Sequence, residues 1–256
     1  MDASLIEAIL DVEDHHWWFR GRRKIVARVL RSRIGDCRGR VLEVGCGSGA
    51  NFKVLEEFGE ISAIELDDAS REAANHREIT KVIDGHLPDG IDMPDEEFEL
   101  LALLDVLEHV EDDESALSRI NRLLKPGGHT IITVPAFQFI WSHHDDLNHH
   151  FRRYTRKGLV QKVQAAGLTV CYSTYANCLL FPLVLVGRLL SRCLPSTEGC
   201  GDQDPSSGAQ LDSGRCLWRR TSPDAHPTLP IRFFSSRTGQ KERLVSGTPC
   251  RSQRIS

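Results

Sequence analysis

The stretch Val41-Leu42-Glu43-Val44-Gly45-Cys46-Gly47-Ser48-Gly49-Ala50-Asn51 decides how this 256-residue chain folds. A short apolar run with strand character enters a bend with glycine at every second position, and an amphipathic stretch leaves it. Glycine allows positive φ and close approach of the backbone to a ligand, while a helix opening after the bend presents unpaired N–H donors. A nucleotide-like ligand is therefore expected here. The bend alone leaves the cofactor open, because Gly45, Gly47 and Ala50 also satisfy the dinucleotide fingerprint GxGxxG/A. Glu65, at the end of the next apolar run, suits a carboxylate that accepts ribose hydroxyls, and it fits either cofactor.

Outward from the bend, apolar runs alternate with amphipathic stretches. A helix is expected over 50–58, then ISAIEL from Ile61, a helix over 68–78, KVI from Lys81, FELLALLDV from Phe98, a helix over 112–124 and HTIITVP from His129. Strands alternating with helices imply a doubly wound α/β domain with a parallel sheet covered on both faces. The helix over 112–124 carries Asp112, Asp113 and Glu114 where the macrodipole favours acids. Leu117, Ile120 and Leu124 share one face, and Lys125-Pro126-Gly127-Gly128 ends it. A helix from about Thr155 to Ala166 closed by Gly167, then a strand LTVCYSTY from Leu168, continue the pattern.

Residues 1–38 read as a helical cap in front of the main domain, with Ile25, Val29 and Leu30 at helical spacing. Residues 39–195 form the ligand-binding domain. From Ser196 the texture turns to Ser, Gly, Pro, Arg and Thr without a sustained period, so 196–256 reads as a disordered or atypical tail. Ile231–Phe234 is the only tail segment with strand character.

A net charge of −4 and a pI near 6.3 give no chain-wide attraction for nucleic acid, which is not an expected partner. Eight cysteines without a CxxC pair, and an N-terminus without the zones of a secretory signal, point to a cytoplasmic location. The segment 178–194 is apolar but interrupted by Pro182 and Arg188, too short for a bilayer span and suited to a core helix or a peripheral membrane contact.

The ordered series E-V-G-C-G-x-G from Glu43, an acidic residue ending strand two (Glu65), Asp84-Gly85, Leu104-Asp105-Val106-Leu107-Glu108-His109-Val110 and Leu123-Leu124-Lys125-Pro126-Gly127-Gly128 resembles the class I S-adenosylmethionine-dependent methyltransferases. HHWWFRGRR before the series and HHFRRYTRKGLVQKVQAAGL after it resemble a bacterial small-molecule or glycan-associated branch. The resemblance implies a Rossmann-like methyltransferase sheet, mostly parallel with an antiparallel C-terminal strand. It implies S-adenosyl-L-methionine as cofactor and a small-molecule, lipid-linked or glycan-type acceptor. By that resemblance Glu43, Gly45, Cys46, Gly47 and Gly49 bracket the methionine moiety. Glu65 holds the ribose with Leu66 beside it, Asp84 and Gly85 meet the adenine, and Asp105, Val106 and Leu107 line the floor. The amine of a methionine moiety needs an acceptor and its carboxylate needs backbone donors.

Methyl transfer from a sulfonium needs alignment and, for a hydroxyl acceptor, a base. His109, His149 and His150 are the candidates. The run His143-His144-Asp145-Asp146 and His149-His150 lacks a characteristic metal spacing and is read as a polar lid, with no metal assigned. Arg152 and Arg153 could grip an acceptor phosphate or carboxylate, and Trp17, Trp18 and Arg20 could close over the cofactor.

The seventh strand of such a sheet is not evident in the sequence, so deletion of 197–256 is expected to leave cofactor binding within a few fold. Two other readings remain: a non-catalytic cofactor-binding protein, and an NAD-dependent oxidoreductase, which the missing Tyr-x-x-x-Lys disfavours because Gly158 stands at that spacing from Tyr154.

Overall fold

A computed structural model describes residues 13–35, 38–176 and 230–237. Helix α1 (Trp17–Ile34) precedes β1 (Gly39–Val44), α2 (Phe52–Leu55), β2 (Gly59–Ile64), α3 (Asp68–Asn75), β3 (Val82–Ile83) and β4 (Phe98–Leu104). Then come α4 (Asp113–Leu123), β5 (Leu124–Pro135), α5 (His143–Leu147), α6 (Arg156–Ala165), β6 (Leu168–Tyr175) and β7 (Pro230–Arg237). The seven strands lie in the order β3-β2-β1-β4-β5-β7-β6, and β7 is antiparallel to both neighbours. This is the doubly wound, mostly parallel sheet with an antiparallel C-terminal strand that the sequence implies.

The alternation along each strand feeds two hydrophobic layers, as a sheet covered on both faces requires. Leu42, Val44, Leu101, Leu103, Ile132 and Val134 pack on one side with Leu117 and Ile120 of α4. Val41, Leu100, Ala102, Leu104 and Ile131 pack on the other with Val26 and Leu30 of α1 and Phe52 and Leu55 of α2. Each fully buried Leu, Ile or Phe here contributes roughly 1.5–3 kcal/mol relative to exposure. Helix starts are set by side-chain caps: Asp112 accepts from Ser115 N at 3.0 Å, and Thr155 Oγ1 accepts from Gly158 N at 3.1 Å.

Three expectations shift. The helix after the glycine bend spans only Phe52–Leu55, followed by a 3₁₀ turn at Glu56–Phe58. The helix α4 stops at Leu123, and Leu124-Lys125-Pro126-Gly127-Gly128 opens β5, with Leu124 paired to Phe98 and the ladder irregular up to His129, where Gly127 takes φ +82°. The seventh strand, not expected from the sequence, is β7, and it contains Ile231–Phe234, the one tail segment with strand character. Its polar flanks hid a segment whose ladder partners lie far away in sequence. The rest of 196–256, and the apolar segment 178–194, fall outside the described residues. Among the described residues no helix is long and apolar enough to cross a membrane.

Candidate functional site

A cavity of about 820 Å³ opens at the carboxyl ends of β1, β2 and β4, the place where open α/β sheets hold ligands. Its floor is the glycine bend. Gly45, Gly47 and Gly49 take φ of +64°, +54° and +75°. Gly45 N and Cys46 N donate to Ile64 O at 2.9 and 3.2 Å, which ties the bend to the end of β2. A Cβ on Gly45 would stand 2.8 Å from Val106 Cγ2, whereas one on Gly47 would meet nothing within 4 Å. The bend is thus packed against the β4 end at Gly45 and open at Gly47.

Glu65 reaches back to this bend. Its Oε2 accepts from Gly47 N at 2.7 Å and its Oε1 from Asp67 N at 2.9 Å, so both oxygens are oriented yet keep lone pairs for hydroxyl donors. Leu66, 61% exposed, adds an apolar surface to the wall, and Gly85, His86, Leu87 and Pro88 face the cavity too. Asp84 is not part of the lining. Its side chain is 72% exposed and turned to Arg71 Nη1 at 3.3 Å, because the two-residue strand β3 releases the chain beside α3.

Below the bend, Glu43 is fully buried. Asn51 Nδ2 donates to its Oε1 at 2.8 Å, and Oε2 has no partner. Burial pushes the Glu43 carboxyl up to about 8, against the lowering by Asn51. Glu43 therefore stands behind the lining and orients Asn51, which is on it. Gly49 lies outside the lining as well, curled over the ring of Phe52. Cys46 lines the cavity, but burial, then Glu43, push its thiol far up and leave it unreactive.

At the end of β4, Asp105 adopts φ +62°. Thr133 Oγ1 donates to its Oδ1 at 2.7 Å, and Arg22 Nη2 lies 2.7 Å from Oδ2. Asp105, Val106 and His109 line the cavity, while Leu107 is fully buried in the core instead. Burial of the His109 ring, then the neighbouring His150, push it down to about 4, although the residue keeps surface on the cavity side. Glu108 is 1% exposed, and burial, then Asp105, push its carboxyl well above the usual range.

Of the other two candidate bases, neither reaches the lining. His149 is exposed at φ +54°, and His150 is held by Asp145, its Nδ1 2.9 Å from Oδ1. The arginines are engaged in structure rather than left for an acceptor. Arg153 grips the buried Asp145 through Nε at 2.7 Å and Nη2 at 2.8 Å, and Arg152 pairs with Asp113 at 3.1 Å. Of the N-terminal aromatics, Trp17 is 63% exposed and Trp18 buried, and neither lines the cavity.

The cavity roof comes instead from Glu13, Phe19, Arg22 and Arg23. The buried Glu13 carboxylate accepts from Ser48 Oγ at 2.6 Å and pairs with Arg77, latching the segment before α1 to the glycine bend. Sequence reading missed Arg22, although a signal existed: it stands four and eight residues before the buried Val26 and Leu30, a charge on the apolar face of its helix.

Residues 15–173 match the model of a methyltransferase domain. The chain is 31% identical over 114 residues to a ubiquinone biosynthesis O-methyltransferase of Alkalilimnicola ehrlichii, covering 40% of this chain and 44% of that protein. It is 32% identical over 144 residues to the enzyme of the same name from Thiobacillus denitrificans, covering 50% and 61%. The chain thus spans about half of the length of these relatives. A solved structure of Haemonchus contortus phosphoethanolamine N-methyltransferase 2, in complex with phosphomonomethylethanolamine and S-adenosylhomocysteine, aligns with a TM-score of 0.66 at 15% identity. That alignment covers 94% of this chain and 59% of that one, and shows the shared fold.

Proposed function

Because the chain belongs to the methyltransferase domain family, we propose that it transfers a methyl group from S-adenosyl-L-methionine to a small-molecule acceptor. The observation that carries this reading is the junction at the glycine bend: Glu65 is fixed by Gly47 N on one wall, and Asp105 stands at the end of β4 on the other. The donor set fits such a cofactor. Glu65 offers acceptors for two ribose hydroxyls, and the space over Gly47 is open to a ligand atom. Leu66, Leu87 and Pro88 provide apolar surface for a base ring. When bound, the cofactor supplies an electrophilic methyl group on a sulfonium.

What the chain's own residues do is hold, orient and exclude. Arg22 and Phe19 cover the cavity from α1, and Arg22 fixes the Asp105 carboxylate beside the bend. Of the three candidate bases His109 is the one that stands on the wall, and its ring is held neutral there. The O-methyltransferase names of the two relatives support a hydroxyl on the acceptor.

Titration calorimetry with S-adenosylhomocysteine tests the cofactor reading, with Glu65→Ala as the comparison. Micromolar binding that weakens at least tenfold in the variant is expected. Equal affinity of the two proteins, or none in either, would overturn it. A labelled-methyl screen of extract metabolites then identifies the acceptor, and binding without any transfer would favour a non-catalytic role.

A further inference from the structure

Beside the cavity, three side chains from two separate segments converge. Glu108 and His109 belong to the 3₁₀ turn Leu107–His109 after β4, and His150 comes from the loop after α5. One ligating atom from each lies within 4.8 Å of the other two. We infer that Glu108, His109 and His150 form a binding site for a divalent transition-metal ion on the cavity wall.

Two independent features favour this over a chance cluster. Glu108 Oε2 is a carboxylate oxygen buried without any partner, a costly arrangement unless something cationic completes it. Both imidazoles are also held from outside the cluster. Asp145 Oδ1 engages His150 Nδ1 at 2.9 Å, and the backbone of Asn148 is hydrogen-bonded to the His109 ring. Metal-binding histidines characteristically give their second ring nitrogen to a carboxylate or a backbone carbonyl, which fixes the tautomer and turns the other nitrogen to the ion. Asp145 is itself clamped by Arg153, and Phe151 N donates to Glu108 O at 2.8 Å, so the loop is pinned to the turn.

The ligand set also narrows the ion. Two imidazoles and one carboxylate suit zinc, cobalt, iron or manganese better than calcium or magnesium, which favour all-oxygen shells. Ligand bonds of about 2.1 Å place donors roughly 3.4 Å apart in a tetrahedron, so the three side chains must draw in slightly on binding. Three protein donors leave positions open, and His109 puts them on the cavity side. No metal spacing is visible in the sequence because the site joins His109 to a residue 41 positions later. It stands on these ligands and not on the methyl-transfer reading.

The test uses chelator-treated full-length protein titrated with Co²⁺ alone, followed by visible absorption and calorimetry. One equivalent per chain is expected, with ligand-field bands and without the intense charge-transfer bands of thiolate. Glu108→Gln and His150→Gln should each weaken binding at least tenfold, while Glu111→Gln, a neighbouring carboxylate outside the triad, should stay within twofold. Far-ultraviolet dichroism and S-adenosylhomocysteine affinity check that each variant is folded and separate failure here from failure of the cofactor reading. Less than stoichiometric binding by folded wild-type protein, thiolate bands, or undiminished binding in both variants would overturn the site.

Discussion

Replacing Gly45 with alanine perturbs the bend in two separable ways. At φ +64° an L-residue costs about 1–2 kcal/mol. The new methyl would also lie 2.8 Å from Val106 Cγ2 and 3.3 Å from Cγ1, too close on both counts. Forcing such an atom into a packed site costs about 1–3 kcal/mol. Gly45→Ala should therefore lose about 2–5 kcal/mol, a large part of the roughly 5–15 kcal/mol that holds a typical domain. Gly47→Ala carries only the φ cost, since nothing lies within 4 Å of its Cβ, but it places a methyl where a ligand would approach. Urea unfolding monitored by fluorescence gives both losses. A double-mutant cycle with Val106→Ala should return about 1–3 kcal/mol to Gly45→Ala and nothing to Gly47→Ala. The reasoning fails if Gly45→Ala is as stable as wild type, or if the Val106 truncation rescues both variants equally.

Further expectations follow from the same geometry. Glu43 keeps its proton in the folded chain up to about pH 8 while the unfolded chain loses it near 4.5. Its favourable contribution is thus complete below pH 4.5 and declines by up to about 1.4 kcal/mol per unit as pH rises to 8; Glu43→Gln should flatten that decline in urea midpoints taken between pH 5 and 8. Glu13→Gln, which weakens the latch to Ser48 and Arg77, should cost about 1–3 kcal/mol and speed proteolysis of the segment before α1. A chain truncated before Pro230 should melt well below wild type because β6 loses its neighbour strand. Its folded fraction should still bind S-adenosylhomocysteine within a few fold, since the described lining ends at Phe151; an unchanged melting temperature would contradict the pairing.

The first five strands were legible because each is a short apolar run whose alternating faces meet two layers, a pattern that needs no knowledge of distant partners. The bend and Glu65 were legible for a related reason, as glycine spacing and a strand-end acid carry their geometry locally. What escaped was non-local. Strand β7 shows only Ile231–Phe234 as strand-like, amid a polar tail, until its ladder with Ile131 and Ile132 is known. Asp84 matched a motif position, yet its side chain answers to Arg71 on α3, and Leu107 matched a floor position yet turned into the core. Arg22 and Glu13 reach the cavity by packing across the sheet, which single-sequence spacing hints at only for Arg22.

The position of β7 also constrains the order in which the molecule can be assembled. Strand β6 leaves the ribosome first, but its place in the sheet lies beyond β7, and 54 residues separate Tyr175 from Pro230. Until that later segment arrives, the backbone edge of β5 stays open and β6 lacks its strand partner. Pairings between remote segments form slowly, and an open edge beside an apolar face invites association between chains. A nascent or slowly refolding chain is thus most vulnerable in the interval after Tyr175 and before Arg237, and chaperone demand should concentrate there.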